Sequence, residues 1–324
     1  MKSLNIIDYI KLVRYKNLIA IIFFQVLIYY GIVLPILDKY QMGQACYGSL
    51  EFILLVCSSV FIAAGGYAIN EYFDTKIDMI NRPEKVIVGK TISRKSAATY
   101  FQILIGIGTL CGLILAYLVR DIKAGFIFII IPGLLWFYSG AYKRQFLIGN
   151  IIIGFCAAMS IFLVGYIECS VLSKMFGPII FETPIVSEIY SWVGGFSLFA
   201  FLLTMIREIV KDVEDIEGDR EMECRTMPIV WGIKKTKIFL YVLTIATVAL
   251  IGFFAFTKIH FAVDNITKKY FIFGILLPFI AFLYLIFKAK GKNDFHQASS
   301  FCKYMMIIGS LYSVFVYFLF TINF

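Results

Sequence analysis

The chain has 324 residues, 60% of them hydrophobic and only 16% charged, with a formal net charge of +9. Soluble domains are about 45–50% apolar and about 25% charged, so water is the wrong solvent for this chain. Aromatic residues supply 17% of it, which excludes disorder; the seven cysteines are scattered and form no CxxC pair, which excludes a disulfide scaffold and a thiolate zinc site.

A helix needs about 20 apolar residues to cross a bilayer core. Nine stretches reach or approach that length: 17–37, 48–70, 96–119, 124–140, 146–167, 189–210, 238–257, 270–287 and 304–321. The first follows a mostly polar lead and has no small-residue cleavage site after it, so it reads as a span and not a cleavable signal. The fourth contains Pro132 and is expected to kink there. With the N-terminus inside, the inner connections hold about three times as many Lys and Arg as the outer ones. The expected architecture is all-α: a polytopic membrane protein with nine transmembrane helices in one bundle, a single domain over 1–324. The N-terminus and the long charged loops 71–95 and 208–237 then face the cytoplasm. Surplus positive charge belongs beside anionic lipid on that face. It leaves no compact basic domain for nucleic acid, and no segment calls for an obligate protein partner.

The second stretch runs into Asn70-Glu71-Tyr72-Phe73-Asp74-Thr75-Lys76-Ile77-Asp78. If the helix continues, positions 70, 74 and 78 drift by only about 40° per step, so they share a face, while Glu71 points about 100° away. One amide and two carboxylates at the membrane boundary suit Mg²⁺, which completes its shell with water and substrate phosphate. The sixth stretch runs into Arg207-Glu208 and on through Lys211, Asp212, Glu214, Asp215, Glu217 and Asp219. Continued as one helix, Glu208, Asp212, Asp215 and Asp219 form a second stripe, with Glu214 and Glu217 on the opposite side. Four carboxylates on one stripe repel unless a cation sits among them. An acidic helix end also occurs as plain solvated surface. The recurrence of the stripe on the same membrane face argues against that, and carboxylates this close to hydrocarbon mark functional sites.

Cations follow both stripes: Arg82, Lys85 and Lys90 after the first, Lys143 and Arg144 after span four, Arg225 after the second. Taken singly, each also serves as a positive-inside anchor. Taken together, carboxylates and cations on one face are reconciled by a polyanion between them. A diphosphate fits, bridged by metal to the aspartates and held by Lys and Arg. If it carries a hydrocarbon tail, the tail lies among the spans and the head at the inner boundary. Departure of an allylic diphosphate leaves a carbocation. The faces of Tyr67, Tyr72, Tyr138 and Tyr142, next to the polar motifs, can stabilise it while water is kept out.

Asn70-x₃-Asp74-x₃-Asp78 followed by Asn81-Arg82-Pro83, and Lys211-Asp212-x₂-Asp215-Ile216-Glu217-Gly218-Asp219, resemble the paired motifs of the UbiA superfamily of intramembrane prenyltransferases. Nine spans, an inside N-terminus and motifs after spans two and six match as well, so the likeness covers nearly the whole chain. The resemblance implies a helical bundle around a central cavity open sideways to lipid, with Mg²⁺ as cofactor. It implies Asp74, Asp78, Asp215 and Asp219 as metal ligands and catalytic residues. It implies Asn70, Arg82, Lys85, Lys90, Tyr138, Lys143 and Asp212 as substrate-binding residues. Lys143, in a Tyr-Ser-x₃-Lys-Arg context, matches the family's diphosphate-contacting lysine. Lys85 stands where relatives often carry Arg in Arg-Pro-Ile-Pro-Ser-Gly. Here that stretch reads Lys85-Val86-Ile87-Val88-Gly89-Lys90, without either proline or the serine.

Within the superfamily the pattern looks most like the ether-lipid branch, the geranylgeranylglycerol-phosphate geranylgeranyltransferases. That branch implies an allylic donor such as geranylgeranyl diphosphate and a lipophilic acceptor, geranylgeranylglycerol phosphate. Chlorophyll- and homogentisate-type enzymes share much of the pattern, so an aromatic acceptor stays open. A cation-coupled transporter would use the same carboxylates for Na⁺ or H⁺. Transporters place such groups near the midplane on broken helices, whereas here they cluster at one boundary.

Overall fold

The computed structural model describes residues 6–43, 46, 48–258 and 265–322. The extremes of the expected domain (1–5 and 323–324) and part of the last outer connection (259–264) lie outside the described residues. Among these residues, nine helices are long and apolar enough to cross a membrane. They are α1 (Tyr15–Lys39), α2 (Ser49–Asn81), α3 (Arg94–Leu118), α4 (Ile122–Gly140), α5 (Ile148–Phe176), α6 (Pro184–Glu214), α7 (Met227–Thr257), α8 (Thr267–Lys288) and α9 (Lys292–Phe320). The only strand-like feature described is an isolated bridge between Val88 and Ile92. The protein is an all-α, polytopic membrane protein, and its described cysteines are all free.

Several helices outrun their apolar stretches. Hydropathy reports the lipid-immersed part, whereas a helix continues until its backbone is broken. No Gly or Pro interrupts α2 between Gly66 and its end at Asn81, and Pro83 stops it soon after. At the other end of the chain, α9 begins at Lys292 and not near 304. Pro132 lies inside α4, whose helical span is unbroken through it. The wide turns are elsewhere, as π-helical segments at Tyr29–Val33 and Phe271–Leu276. Each precedes a proline, Pro35 or Pro278, whose ring presses on the carbonyl four residues back. That carbonyl belongs to Gly31 or Gly274, inside the widened turn, which makes room for the ring.

Packing forms two main cores. One gathers Ile28, Ile32, Leu55, Phe128, Val164 and Val193 among the first six helices. The other gathers Ile206, Val210, Phe279, Phe282, Phe295 and Cys302 between α6, α7, α8 and α9. Long contacts run between α2 and α3 and between α5 and α6, and α6 also packs on α9. The α2–α3 approach depends on Gly108, where a Cβ would stand 2.7 Å from the backbone nitrogen of Ile62. Small residues at such crossings replace the hydrophobic drive that lipid removes. Outward faces carry exposed Ile238, Phe253, Phe256 and Phe287, a surface made for hydrocarbon.

Asp121 fixes the start of α4 away from the aspartate motifs. Its carboxylate accepts from the amides of Lys123 (2.9 Å) and Ala124 (3.4 Å) and from Ser170 Oγ of α5 (2.7 Å). Burial pushes its pKa up, but the hydrogen bonds from Ser170, Tyr166 and the two amides outweigh this and hold it below 3.8. A depressed carboxylate pKa gives stability that is present above the ordinary value and lost as pH falls through the folded one. Asp121→Ala should therefore cost about 1 kcal/mol at neutral pH. A thermal melt in detergent checks it, and the gap to the unaltered protein should close in acid.

Candidate active site

The first motif behaves as its spacing predicts. Asn70, Asp74 and Asp78 all lie on α2, with Asn70 and Asp74 buried and Asp78 half-buried. Asn70 Nδ2 donates to Asp74 Oδ2 at 2.7 Å. Lys143 Nζ, from the short turn Tyr142–Arg144 after α4, donates to the same oxygen. Burial works to lower the Lys143 pKa, and the neighbouring Asp74 carboxylate more than reverses it, so the ammonium is held charged. Asn70 Oδ1 is buried and has no partner. Tyr138, buried near the end of α4, lies close enough to Lys143, Asp74 and Asp212 for their charges to act on it.

The second motif departs from one continuous helical stripe. The sixth span, α6, ends at Glu214. Asp215 leaves helical geometry at φ −99 and ψ 12, and a short helix resumes over Ile216–Glu221. Tertiary contact explains the break. Asn81, the last residue of α2, accepts from the Gly218 amide through Oδ1 at 3.0 Å and donates through Nδ2 to the Asp215 carbonyl at 3.2 Å. A Cβ at Gly218 would collide with that amide group. The four carboxylates expected on one face consequently have separate partners. Glu208 accepts from Arg207 at 2.5 Å and Lys211 at 2.9 Å. Asp212 accepts from Asn150 Nδ2 at 2.8 Å. Asp219 accepts from Thr226 Oγ1 at 3.1 Å. Asp215 accepts from Arg82.

Arg82 joins the two motifs. Its Nη2 donates to Glu214 Oε1 at 2.7 Å and to both Asp215 oxygens at 2.9 and 3.1 Å. Glu214, on the side away from the stripe, is buried and not solvated. It also meets His296 Nδ1 at 2.9 Å and accepts from Ser299 Oγ at 3.2 Å, both on α9. The structure therefore brings Asn70, Asp74, Asp78, Arg82, Tyr138, Lys143, Asp212, Asp215 and Asp219 to one end of the bundle. It leaves Lys85 and Lys90 exposed on the connection after α2, where Lys90 Nζ donates to the Pro83 carbonyl at 2.6 Å.

The two motifs share one electrostatic field. Burial raises the Asp219 pKa, Lys143 and Thr226 oppose the rise, and Asp215 and Asp74 add to it, leaving the group at about 6. Among the described residues no three His, Cys, Asp or Glu side chains converge tightly enough to enclose a metal by themselves. That donor set is the kind Mg²⁺ uses when substrate phosphate completes its shell, since the ion takes only one or two protein carboxylates. The orphaned Oδ1 of Asn70 adds a neutral oxygen of the right hardness.

Residues 40–312 match the UbiA prenyltransferase family. The chain belongs to that family. This UbiA prenyltransferase is 32% identical over 260 residues to the digeranylgeranylglyceryl phosphate synthase of Methanosphaera stadtmanae, covering 79% of this chain and 84% of the relative. It is 29% identical over 311 residues to the synthase of that name from Methanosarcina barkeri, covering 94% and 96%. A solved structure of a digeranylgeranylglyceryl phosphate synthase superposes with a TM-score of 0.62 at 25% identity, over 96% of this chain and 98% of the other. A UbiA homolog from Archaeoglobus fulgidus, solved with DMAPP and Mg²⁺, shares the fold at a TM-score of 0.53 and 16% identity, over 93% and 98% of the two chains. The enzyme is thus most like the ether-lipid branch of the UbiA family.

Sequence reasoning missed Asn81, Asn150, Glu214, Thr226 and His296 as structural members of the site. Asn81 carried a signal, since it follows the first motif by less than one turn. Asn150 carried none, because its partner Asp212 comes from a distant helix, and Thr226 meets Asp219 only through the turn that follows the short helix. The raised pKa of Asp219 gives a test. Folding takes up a proton there between 3.8 and about 6, so this carboxylate's burial opposes folding increasingly as pH rises through that window. Asp219→Asn should therefore melt at a higher temperature than the unaltered protein at neutral pH without metal, and at the same temperature near pH 4, about its ordinary pKa.

Proposed function

We propose that this UbiA family enzyme transfers a prenyl group from an allylic prenyl diphosphate, geranylgeranyl diphosphate by kinship, to geranylgeranylglycerol phosphate. The observation that carries the reading is the meeting of both aspartate motifs with Lys143 at one end of the bundle, held by Arg82. Kinship over most of the chain to digeranylgeranylglyceryl phosphate synthases supports the acceptor. The Lys and Arg bias supports placing this end, with the N-terminus, on the cytoplasmic face.

In this reading Asp74 and Asp78 from the first motif and Asp215 and Asp219 from the second would hold Mg²⁺, one or two carboxylates to each ion, with Asn70 Oδ1 as a further oxygen and substrate phosphate completing the shell. When bound, the ion neutralises charge that develops on the leaving diphosphate. Lys143 exchanges its Asp74 oxygen for a diphosphate oxygen and keeps its charge because the pair of anions around it favours the ammonium. Asn70 orients Asp74, Asn150 orients Asp212, and Arg82 keeps α2 and the Asp215 turn at fixed separation. Lys85 and Lys90, on the exposed connection, close over the diphosphate oxygens from outside. The prenyl C–O bond breaks and its electron pair leaves on diphosphate. The acceptor hydroxyl oxygen bonds to the same carbon, and its proton passes to the departing diphosphate. Tyr138, buried beside the head, shields the cationic carbon from water.

Purified protein given labelled geranylgeranyl diphosphate, Mg²⁺ and geranylgeranylglycerol phosphate should yield a labelled lipid extract with two prenyl chains. Asp74→Ala and Asp215→Ala should each lower that yield by about 100-fold or more while inserting and eluting as the unaltered protein does. Full metal-dependent transfer in either variant refutes the assignment. Prenylation of an aromatic acid in preference to the glycerol phosphate moves the enzyme to the aromatic branch.

A further inference from the structure

Four cations gather where α1, α6 and α9 pass one another, beside the aspartate cluster: Arg14, Arg207 and Lys211 are half-buried and Lys303 is exposed. Arg207 and Lys211 sit on α6 and Lys303 on α9. Arg14 enters from the turn before α1, held in the left-handed region at φ 51. Their carboxylate partners are fewer. Arg207 and Lys211 share Glu208, at 2.5 and 2.9 Å. Arg14 Nε and Nη2 both donate to one oxygen of Glu71, at 3.1 and 2.7 Å. Its guanidinium lies 5.5 Å from the Tyr67 ring centroid. Lys303 has no ion pair among the described residues, yet the charges of Arg207, Lys211, Arg14 and Glu208 act on it. Arg207 Nε is buried without any partner. The carboxylates beyond them are engaged elsewhere, Asp212 with Asn150 and Asp74 with Asn70 and Lys143.

Glu71 and Glu208 answer two of these four charges and Asp212, bonded only to the neutral Asn150 amide, at most a third, so positive charge stays in excess at this edge of the spans. Such a surplus is costly unless an anion meets it. A phosphomonoester carries close to two negative charges at neutral pH and several strong acceptor oxygens. Arginine forks match those oxygens and lysines add point charge. The location suits a second substrate. Lys211 stands four residues from Asp215, about 6 Å along a helix, and Glu71 adjoins Asn70. A glycerol unit spans that gap.

We propose that Arg14, Arg207, Lys211 and Lys303 form a second anion subsite, separate from the diphosphate cradle, that holds the phosphate head of the lipid acceptor. The subsite rests on the transferase reading above and deepens it. It gives the acceptor a fixed head, so that the free hydroxyl of its glycerol faces the prenyl carbon, and it discriminates against the unphosphorylated alcohol.

The test uses the purified full chain. Lys303→Gln removes a cation that supports no ion pair, so folding is spared, and Arg207→Lys keeps the charge while removing the fork. Each should raise KM for geranylgeranylglycerol phosphate about tenfold or more and leave KM for the prenyl diphosphate within about twofold. An equal rise for both substrates, or none for the acceptor, overturns the proposal. Binding measured without prenyl diphosphate or metal separates the subsite from the reaction. The unaltered protein should bind the phosphorylated lipid more tightly than geranylgeranylglycerol, and Lys303→Gln should lose most of that difference. If transfer fails while the difference persists, the subsite stands and the transferase reading falls. If both lipids bind alike, the subsite falls whatever the activity. Inorganic phosphate competing only far above the lipid's concentration supports a lipid headgroup. Competition at the lipid's own concentration assigns the site to free phosphate and overturns the acceptor assignment.

Discussion

Two carboxylate-rich helix ends repel each other, and the architecture at this end of the bundle depends on what overcomes that repulsion. Arg82 does so with charge, reaching Glu214 and both oxygens of Asp215 from the far end of α2. Asn81 does so with neutral hydrogen bonds to the same segment, one to the Gly218 amide and one to the Asp215 carbonyl. The fork of a guanidinium suits a pair of carboxylates better than any single ammonium would. Adjacent residues thus clasp the second motif by two different means. Without them, nothing described here would hold the aspartates of α2 against those after α6, and the proposed diphosphate site needs both sets.

The membrane sharpens this demand. In hydrocarbon there is no water to screen an unpaired charge, so every ionic group near the spans must find a partner or a cavity. The described structure shows this accounting in full on Glu214, which meets Arg82, His296 and Ser299 at once. Such a group anchors α9 to α6 and α2 as firmly as an apolar contact does. The site end of the bundle is therefore held by a polar network and the remainder by packed side chains and close helix crossings such as Gly108 on Ile62.

Much of this was legible in the sequence. Long apolar runs gave the nine spans, because a bilayer imposes one minimum length on every crossing helix. The face shared by Asn70, Asp74 and Asp78 was legible because an unbroken helix makes spacing equivalent to direction. The same reasoning failed at Asp215. Nothing in the residues 208–219 marks a break there, since Gly218 comes three residues too late to announce it. The bend is imposed by Asn81, far away in the chain. Glu214 escaped notice for a related reason: periodicity placed it off the stripe, and nothing nearby in the chain names its partners. Its burial depends on α9, whose position no local pattern reveals. The π turns near Pro35 and Pro278 were hidden for the opposite reason, as a local strain absorbed locally, so that the hydropathy profile ran on undisturbed.

Lys143 and Asp74 form an ion pair within the protein itself. An internal counter-ion in that place answers the carboxylate's charge, so the packing of these helix ends draws on the chain's own residues. On the proposed function, loading is an exchange of counter-ions and not the filling of a bare electrostatic hole, and the helices can close on insertion without help from cargo.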